Sequence, residues 1–297
     1  MIKIKAWFWA IRPFSFSAAV VPVLVGSAFA FREGLFHLFR FLLVLIACLF
    51  VQVTTNLVDE YSDHVRPEGE QKILAPYKVI ALGLLTSSEI KRGALVCFSI
   101  AAAIGIYLVY VSGLPVLFMC LAGAAAAYFY SAGTRPLGKI GLGQPLVFIF
   151  MGIVMVVGPF YVQTQYFTSD IFLFSLPVGF TVTAILAAND IRDMEEDKAG
   201  GKQTIVTVFG RDVAWWEYLF IVLAAFLTVI ILVSVGRLEL TSLIILLAIP
   251  QSVITLRILR KGRNRSELAG GIPSASRLHL FFGILLTIGV LLGQFIR

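Results

Sequence analysis

Two short stretches carry nearly half of the acidity of this 297-residue chain. The first is Asn56-Leu57-Val58-Asp59-Glu60-Tyr61-Ser62-Asp63, and the second runs from Asn189 to Lys202. Of 17 acids, eight are Asp59, Glu60, Asp63, Asp190, Asp193, Glu195, Glu196 and Asp197. On a helix, Asn56, Asp59, Glu60 and Asp63 fall at i, i+3, i+4 and i+7 and share one stripe, and Asn189, Asp193 and Asp197 recur every four residues and do the same. Carboxylates and amide oxygens gathered in this way are hard ligands suited to Mg²⁺. Bases accompany them: Arg192, Lys198 and Lys202 in the second stretch, Lys72 after the first, and Arg135 and Lys139 between the two. Metal plus bases is the chemistry that holds a diphosphate. Each acidic stretch follows an apolar run, so the fitting ligand has a diphosphate head and a long apolar tail: an isoprenyl diphosphate.

The elements that position these groups are membrane helices. The chain is 59% hydrophobic and only 14% charged, against roughly a quarter charged in soluble domains. Nine apolar runs of spanning length are counted, at about 13–31, 39–57, 93–111, 114–130, 145–163, 170–188, 215–235, 239–257 and 278–296, and only helices span a bilayer at such lengths. The first run follows Lys3, Lys5 and Arg12 as a signal peptide would, but its length, Pro13 and Pro22 make it a first membrane helix. Cys48, Cys97 and Cys120 lie inside apolar runs and read as small buried apolar residues. The expected fold is all-α: a single polytopic domain over 1–297, built as tandem four-helix units plus a ninth helix.

Charge orients the bundle. With the N-terminus in the cytoplasm, only Arg32, Arg40, Arg237 and Arg297 fall outside, which leaves 20 of the 24 bases inside. This agrees with the positive-inside rule and puts both acidic stretches at the cytoplasmic edge and the C-terminus outside. The bases sit in loops between spans, so the net charge of +7 is an orientation signal and not a nucleic-acid footprint. Taken alone, either acidic stretch could be a solvated loop of mixed charge; two at equivalent places, each with an Asn four residues before an acid, argue for a site. Arg135 and Lys139 could equally be membrane anchors, and His64 reads as a loop histidine. A secondary transporter also fits many spans and a repeat, but transporter sites lie near the midplane. A non-catalytic scaffold gives the acids no purpose.

Four segments resemble the UbiA superfamily of intramembrane prenyltransferases, and most of all its MenA branch. They are Arg12-Pro13 with Val21 to Gly26; the first acidic stretch; Tyr130 to Gly133 through Gly141 to Gln144 with Tyr161 to Thr164; and Asn189 to Asp193 with Asp197, Gly201-Lys202 and Thr204. Departures are Asp59 where that family usually has Asn, Glu60 where it has Asp, Gln144 where the branch has Glu, and Pro67 where many members have Asp. The resemblance implies that Asn56, Glu60, Asp63, Asn189, Asp193 and Asp197, joined by Asp59, hold Mg²⁺ against the diphosphate. It implies that Arg135, Lys198 and Lys202 neutralise the leaving group. The acceptor it implies is aromatic, most similar to 1,4-dihydroxy-2-naphthoate, with 4-hydroxybenzoate as the alternative, and the expected location is the inner membrane.

The base asymmetry sets a topology that reporter fusions can check. Fusions after Phe31, Ser112 and Phe167 should report the outer side, and fusions after Pro67, Lys139, Gly200 and Arg265 the cytoplasm. A cytoplasmic signal at Ser112 would remove the third and fourth spans.

Overall fold

The computed structural model describes residues 2–65, 78–131 and 136–296. The chain is helical, and the one β-type pairing among the described residues is an isolated parallel bridge between Ile140 and Gln203. In order the main helices are α1 (Ile2–Ala10), α2 (Ser17–Arg32), α3 (Leu38–Val65), α4 (Ser87–Ser112) and α5 (Leu114–Ser131). There follow α6 (Gly143–Thr164), α7 (Ser169–Arg192), α8 (Met194–Ala199), α9 (Ile205–Phe209) and α10 (Arg211–Ser234). The bundle closes with α11 (Leu240–Lys261) and α12 (Gly271–Ile296).

Among the described residues seven helices are long and apolar enough to cross a membrane: α3, α4, α6, α7, α10, α11 and the last, from Arg265 to Phe295. An eighth span arises if the N-terminal pair, bent by 49° between Ser15 and Ser17, is counted as one. The run Leu114–Tyr130 is apolar but shorter. The nine expected spans fall on these nine stretches, of which seven, or eight with the bent pair, meet the length and apolarity of a span among the described residues. The first run is interrupted by the bend between Ser15 and Ser17, and the described part of α5 is shorter than the others. The expected burial of the cysteines also needs correction, since Cys120 is exposed and Cys48 and Cys97 are only part-buried.

Two helices form the interior. Twelve of the 16 residues of α2 are buried, and it packs on α3, α6, α7 and α12. Helix α7 packs on α6, α10 and α12. The remaining helices surround this pair, with α3 and α4 packed mainly on each other. Lipid offers apolar contacts as good as any side chain, so membrane helices associate by close approach at small residues. Here a Cβ on Gly152 would collide with the backbone of Gly179, and one on Gly26 with the Val156 carbonyl. Gly152 lies in a π-helical stretch, Val147–Val154, a local unwinding often found near functional sites.

Local signals fix the ends. Thr86 and Glu89 form a capping box at the start of α4, with the Glu89 N–H on the Thr86 hydroxyl (3.2 Å) and the Thr86 N–H on the Glu89 carboxylate (2.8 Å). Lys3 pairs with the same carboxylate at 2.9 Å, which ties α1 to α4. Between α2 and α3 the His37 N–H donates to the Gln163 side chain (2.8 Å), whose amide donates back to the His37 carbonyl (3.3 Å).

The glycine contact gives a packing test. Gly152→Val should lower thermal stability in detergent by about 1–3 kcal/mol or more. Gly105→Val should be neutral, because nothing lies within 4 Å of a Cβ there. Equal melting of both proteins would mean that α6 and α7 are not in backbone contact.

Candidate active site

The first acidic stretch is the last two turns of α3, held against the corner between α1 and α2. Asn56 is buried (4% exposed) and its amide donates to the Ile11 carbonyl (2.8 Å) and the Ser15 hydroxyl (2.9 Å). Glu60, 2% exposed, accepts the Ile80 N–H at 3.0 Å. Arg12 and Lys78 approach its other oxygen at 4.0 and 3.9 Å. Half-exposed Asp59 pairs with Arg12 at 3.5 Å. Thus Asn56 and Glu60 brace the corner and the 78–85 turn, and Asp59 is the accessible acid. Asp63 lies one turn further along α3, and its side chain is outside the described residues, as are Lys72 and Arg135.

The second stretch departs from one continuous helix. Helix α7 ends at Arg192, Asp193 caps it, and α8 begins at Met194. The hydrogen bonds nevertheless run on through the break, from the Asp193 N–H to the Asn189 carbonyl (2.9 Å) and from the Asp197 N–H to the Asp193 carbonyl (2.8 Å). The i, i+4 relation of Asn189, Asp193 and Asp197 therefore persists across a helix junction. Glu195 and Lys198 are exposed.

Cations already sit on these acids. Arg192 binds Asp193 through two nitrogens (2.7 and 2.5 Å) and donates to the Asn189 side-chain oxygen Oδ1 at 3.0 Å. Arg265, at the start of the short helix Arg265–Leu268 before α12, pairs with Asp193 at 3.3 Å and with Glu196. Lys202 bridges Asp190 (2.9 Å) and Asp197 (2.7 Å). Burial alone would push the Lys202 ammonium down, but Asp190 and Asp197 outweigh it and hold it above its ordinary range. The loop carrying Lys202 is pinned by the Gln203 N–H on the Lys139 carbonyl (2.8 Å), which brings the Lys139 loop against the second stretch. Thr204 then caps α9, accepting the Thr207 N–H at 3.3 Å.

The phenol of Tyr130, at the end of α5, stands with Lys202 and Asp190. Beside it is a cavity of about 210 Å³ bordered by Asp190, Lys202, Gln144 and Glu217. No three His, Cys, Asp or Glu side chains among the described residues stand close enough to hold a metal between them. The donor chemistry of Asn189, Asp193 and Asp197 still fits a hard divalent cation, whose binding would require Arg192, Arg265 and Lys202 to yield their carboxylates.

Sequence reasoning omitted several of these groups. Asp190 lies off the chosen stripe, although its place in the motif was visible. Arg12 and Arg265 were counted as orientation charges, and nothing in the spacing connects Arg265 with Asp193. Tyr130 figured only as a family match, and Glu217 had no signal.

A sequence profile of the UbiA prenyltransferase family matches residues 19–270. The chain belongs to that family. Among curated proteins it is 30% identical to the 1,4-dihydroxy-2-naphthoate octaprenyltransferase of Bacillus subtilis over 96% of this chain and 91% of that one. It is 31% identical to the Escherichia coli protein of the same name over 70% of each. Its fold is similar to the apo UbiA homolog from Aeropyrum pernix (TM-score 0.68, 18% identity, 95% and 98% of the two chains). It is also similar to the UbiA homolog from Archaeoglobus fulgidus bound to DMAPP and Mg²⁺ (TM-score 0.63, 13% identity, 95% and 99%). This UbiA-family member is an integral membrane enzyme that transfers prenyl groups.

The junction at Asp193 allows a test with an internal control. Asp193→Asn and Asp197→Asn should each cut turnover by roughly 10²-fold or more, about 2.7 kcal/mol of barrier. Exposed Glu195→Gln should cost less than about tenfold, and all three proteins should insert alike. Equal losses at 193, 195 and 197, measured as diphosphate release, would replace the ligand stripe by a diffuse field.

Proposed function

We propose that this prenyltransferase moves a polyprenyl chain from its diphosphate to 1,4-dihydroxy-2-naphthoate, with Mg²⁺, at the cytoplasmic face of the inner membrane. The observation that carries the reading is the second acidic stretch: paired carboxylates, each matched to a base, at the end of a buried apolar helix. The names of the Bacillus and Escherichia relatives supply the acceptor, and the DMAPP and Mg²⁺ of the Archaeoglobus homolog supply the donor class and the metal.

In this reading the metal ligands come from Asn189, Asp193 and Asp197 and, in the first stretch, from Asp59, Asp63, Asn56 and Glu60. When bound, the metal would offset charge on the departing diphosphate. Lys202, Arg192, Lys198, Lys139, Arg135 and Lys72 are the bases proposed to bind diphosphate oxygens. With a metal held by Asp193 and Asp197, Arg192 and Lys202 would be free to bind the leaving group. The bundle is a single domain of nine spans, two four-helix units and α12, with the N-terminus in the cytoplasm, the C-terminus outside and the prenyl tail along apolar helices. Buried Glu60 serves the site chiefly by holding Ile80 and the Arg12 corner.

Carboxyl-labelled 1,4-dihydroxy-2-naphthoate should lose its label as CO₂ in step with prenylation, and EDTA should stop both. Product from 4-hydroxybenzoate with its carboxyl retained, and none from the naphthoate, would replace the acceptor.

A further inference from the structure

A carboxylate inside an apolar span is costly unless it has work to do. Glu217 is such a group. It lies on α10 between Trp216 and Tyr218, part-buried, and it borders the cavity beside Asp190 and Lys202. Gln144 borders the same cavity, and its amide approaches Asp190 at 3.4 Å. Asp190 is committed to Lys202, whereas Glu217 forms none of the ion pairs found among the described residues. A carboxylate has about four acceptor sites, so Glu217 has capacity to accept hydrogen bonds from the cavity.

The cavity is small and has apolar sides. Leu186, Pro145 and Ile205 give it apolar walls. Gly138 lets the Tyr130 ring close against the loop, since a Cβ there would come within 3.0 Å of that ring. The volume of about 210 Å³ falls below the range of roughly 300–1,000 Å³ usual for drug-sized ligands, too little for a polyprenyl chain and suited to one or two fused rings.

We infer that this cavity seats the ring of the aromatic acceptor and that Glu217 accepts the hydrogen bond, and then the proton, of its hydroxyl group. The inference rests on prenyl transfer to a hydroxyaromatic carboxylate. In the step, the ring carbon beside the hydroxyl supplies the electron pair of the new bond to C1 of the prenyl group. The C1–O pair leaves with diphosphate. The hydroxyl oxygen becomes a carbonyl as its proton passes to Glu217. Loss of the carboxyl group as CO₂ returns an electron pair to the ring, and the oxygen takes its proton back.

Steady-state kinetics on the full-length protein in detergent, with 1,4-dihydroxy-2-naphthoate and a prenyl diphosphate varied separately, tests this. Glu217→Gln should lower kcat/KM for the acceptor by roughly 10²-fold while KM for the prenyl diphosphate stays near wild type, and Glu217→Asp should recover part of the loss. Leu186→Phe, which narrows the cavity without touching a charge, should raise KM for the acceptor and spare that of the diphosphate. Normal acceptor kinetics in Glu217→Gln would overturn the inference, as would a rise in KM for the diphosphate alone. Should Glu217→Gln fail to fold, an unchanged acceptor KM in Leu186→Phe decides against the cavity. A wild-type protein that prenylates no hydroxyaromatic defeats the functional reading itself, and the inference with it.

Discussion

Negative charge at the end of an apolar helix has to be neutralised, and the end of this bundle that carries the second acidic stretch is organised by that demand. Asp190 is 5% exposed, and an uncompensated carboxylate there would cost several kcal/mol. Lys202 answers it from 12 residues along the chain and bonds Asp197 as well. To do so the backbone must fold back, and it does: the Lys202 N–H donates to the Asp197 carbonyl at 2.8 Å. Gly201 takes a positive φ of 68° at the turn, where a side chain would be strained. Arg192 and Arg265 do the same for Asp193. The loops of this face are thus shaped by ion pairing more than by apolar contact.

The two acidic stretches share a sequence pattern and differ in use. In the first, Asn56 and Glu60 are buried against backbone groups of the α1–α2 corner and the 78–85 turn. In the second, Asn189 and Asp193 meet arginine. The two similar stretches thus divide the labour, with the first holding the frame and the second holding charge.

Much of this was legible in the sequence because apolarity and charge are strong, local signals. Continuous apolar runs mark the helices, and the four-residue spacing of Asn189, Asp193 and Asp197 survived even where the helix itself stops. The break at Asp193 was invisible because the stretch has neither proline nor glycine before Gly200. The corner at Arg12, with a left-handed φ of 50°, was hidden for another reason: an arginine before a proline marks the end of an apolar run but not the direction in which the chain turns there. Pairings between distant loops, such as Arg265 with Asp193, depend on which helices are neighbours, and no periodicity encodes that. Glu217 escaped notice because a lone acid beside tryptophans resembles an interfacial residue.

The contact between Gly152 and Gly179 has a different consequence. Where backbone meets backbone there are no side-chain rotamers to adjust, so α6 and α7, like α2 and α6 at Gly26, are fixed relative to one another. Changes of side-chain volume have little room along such seams. Variation falls instead to the surrounding helices, while the seam keeps the charged end of α7 at a constant position.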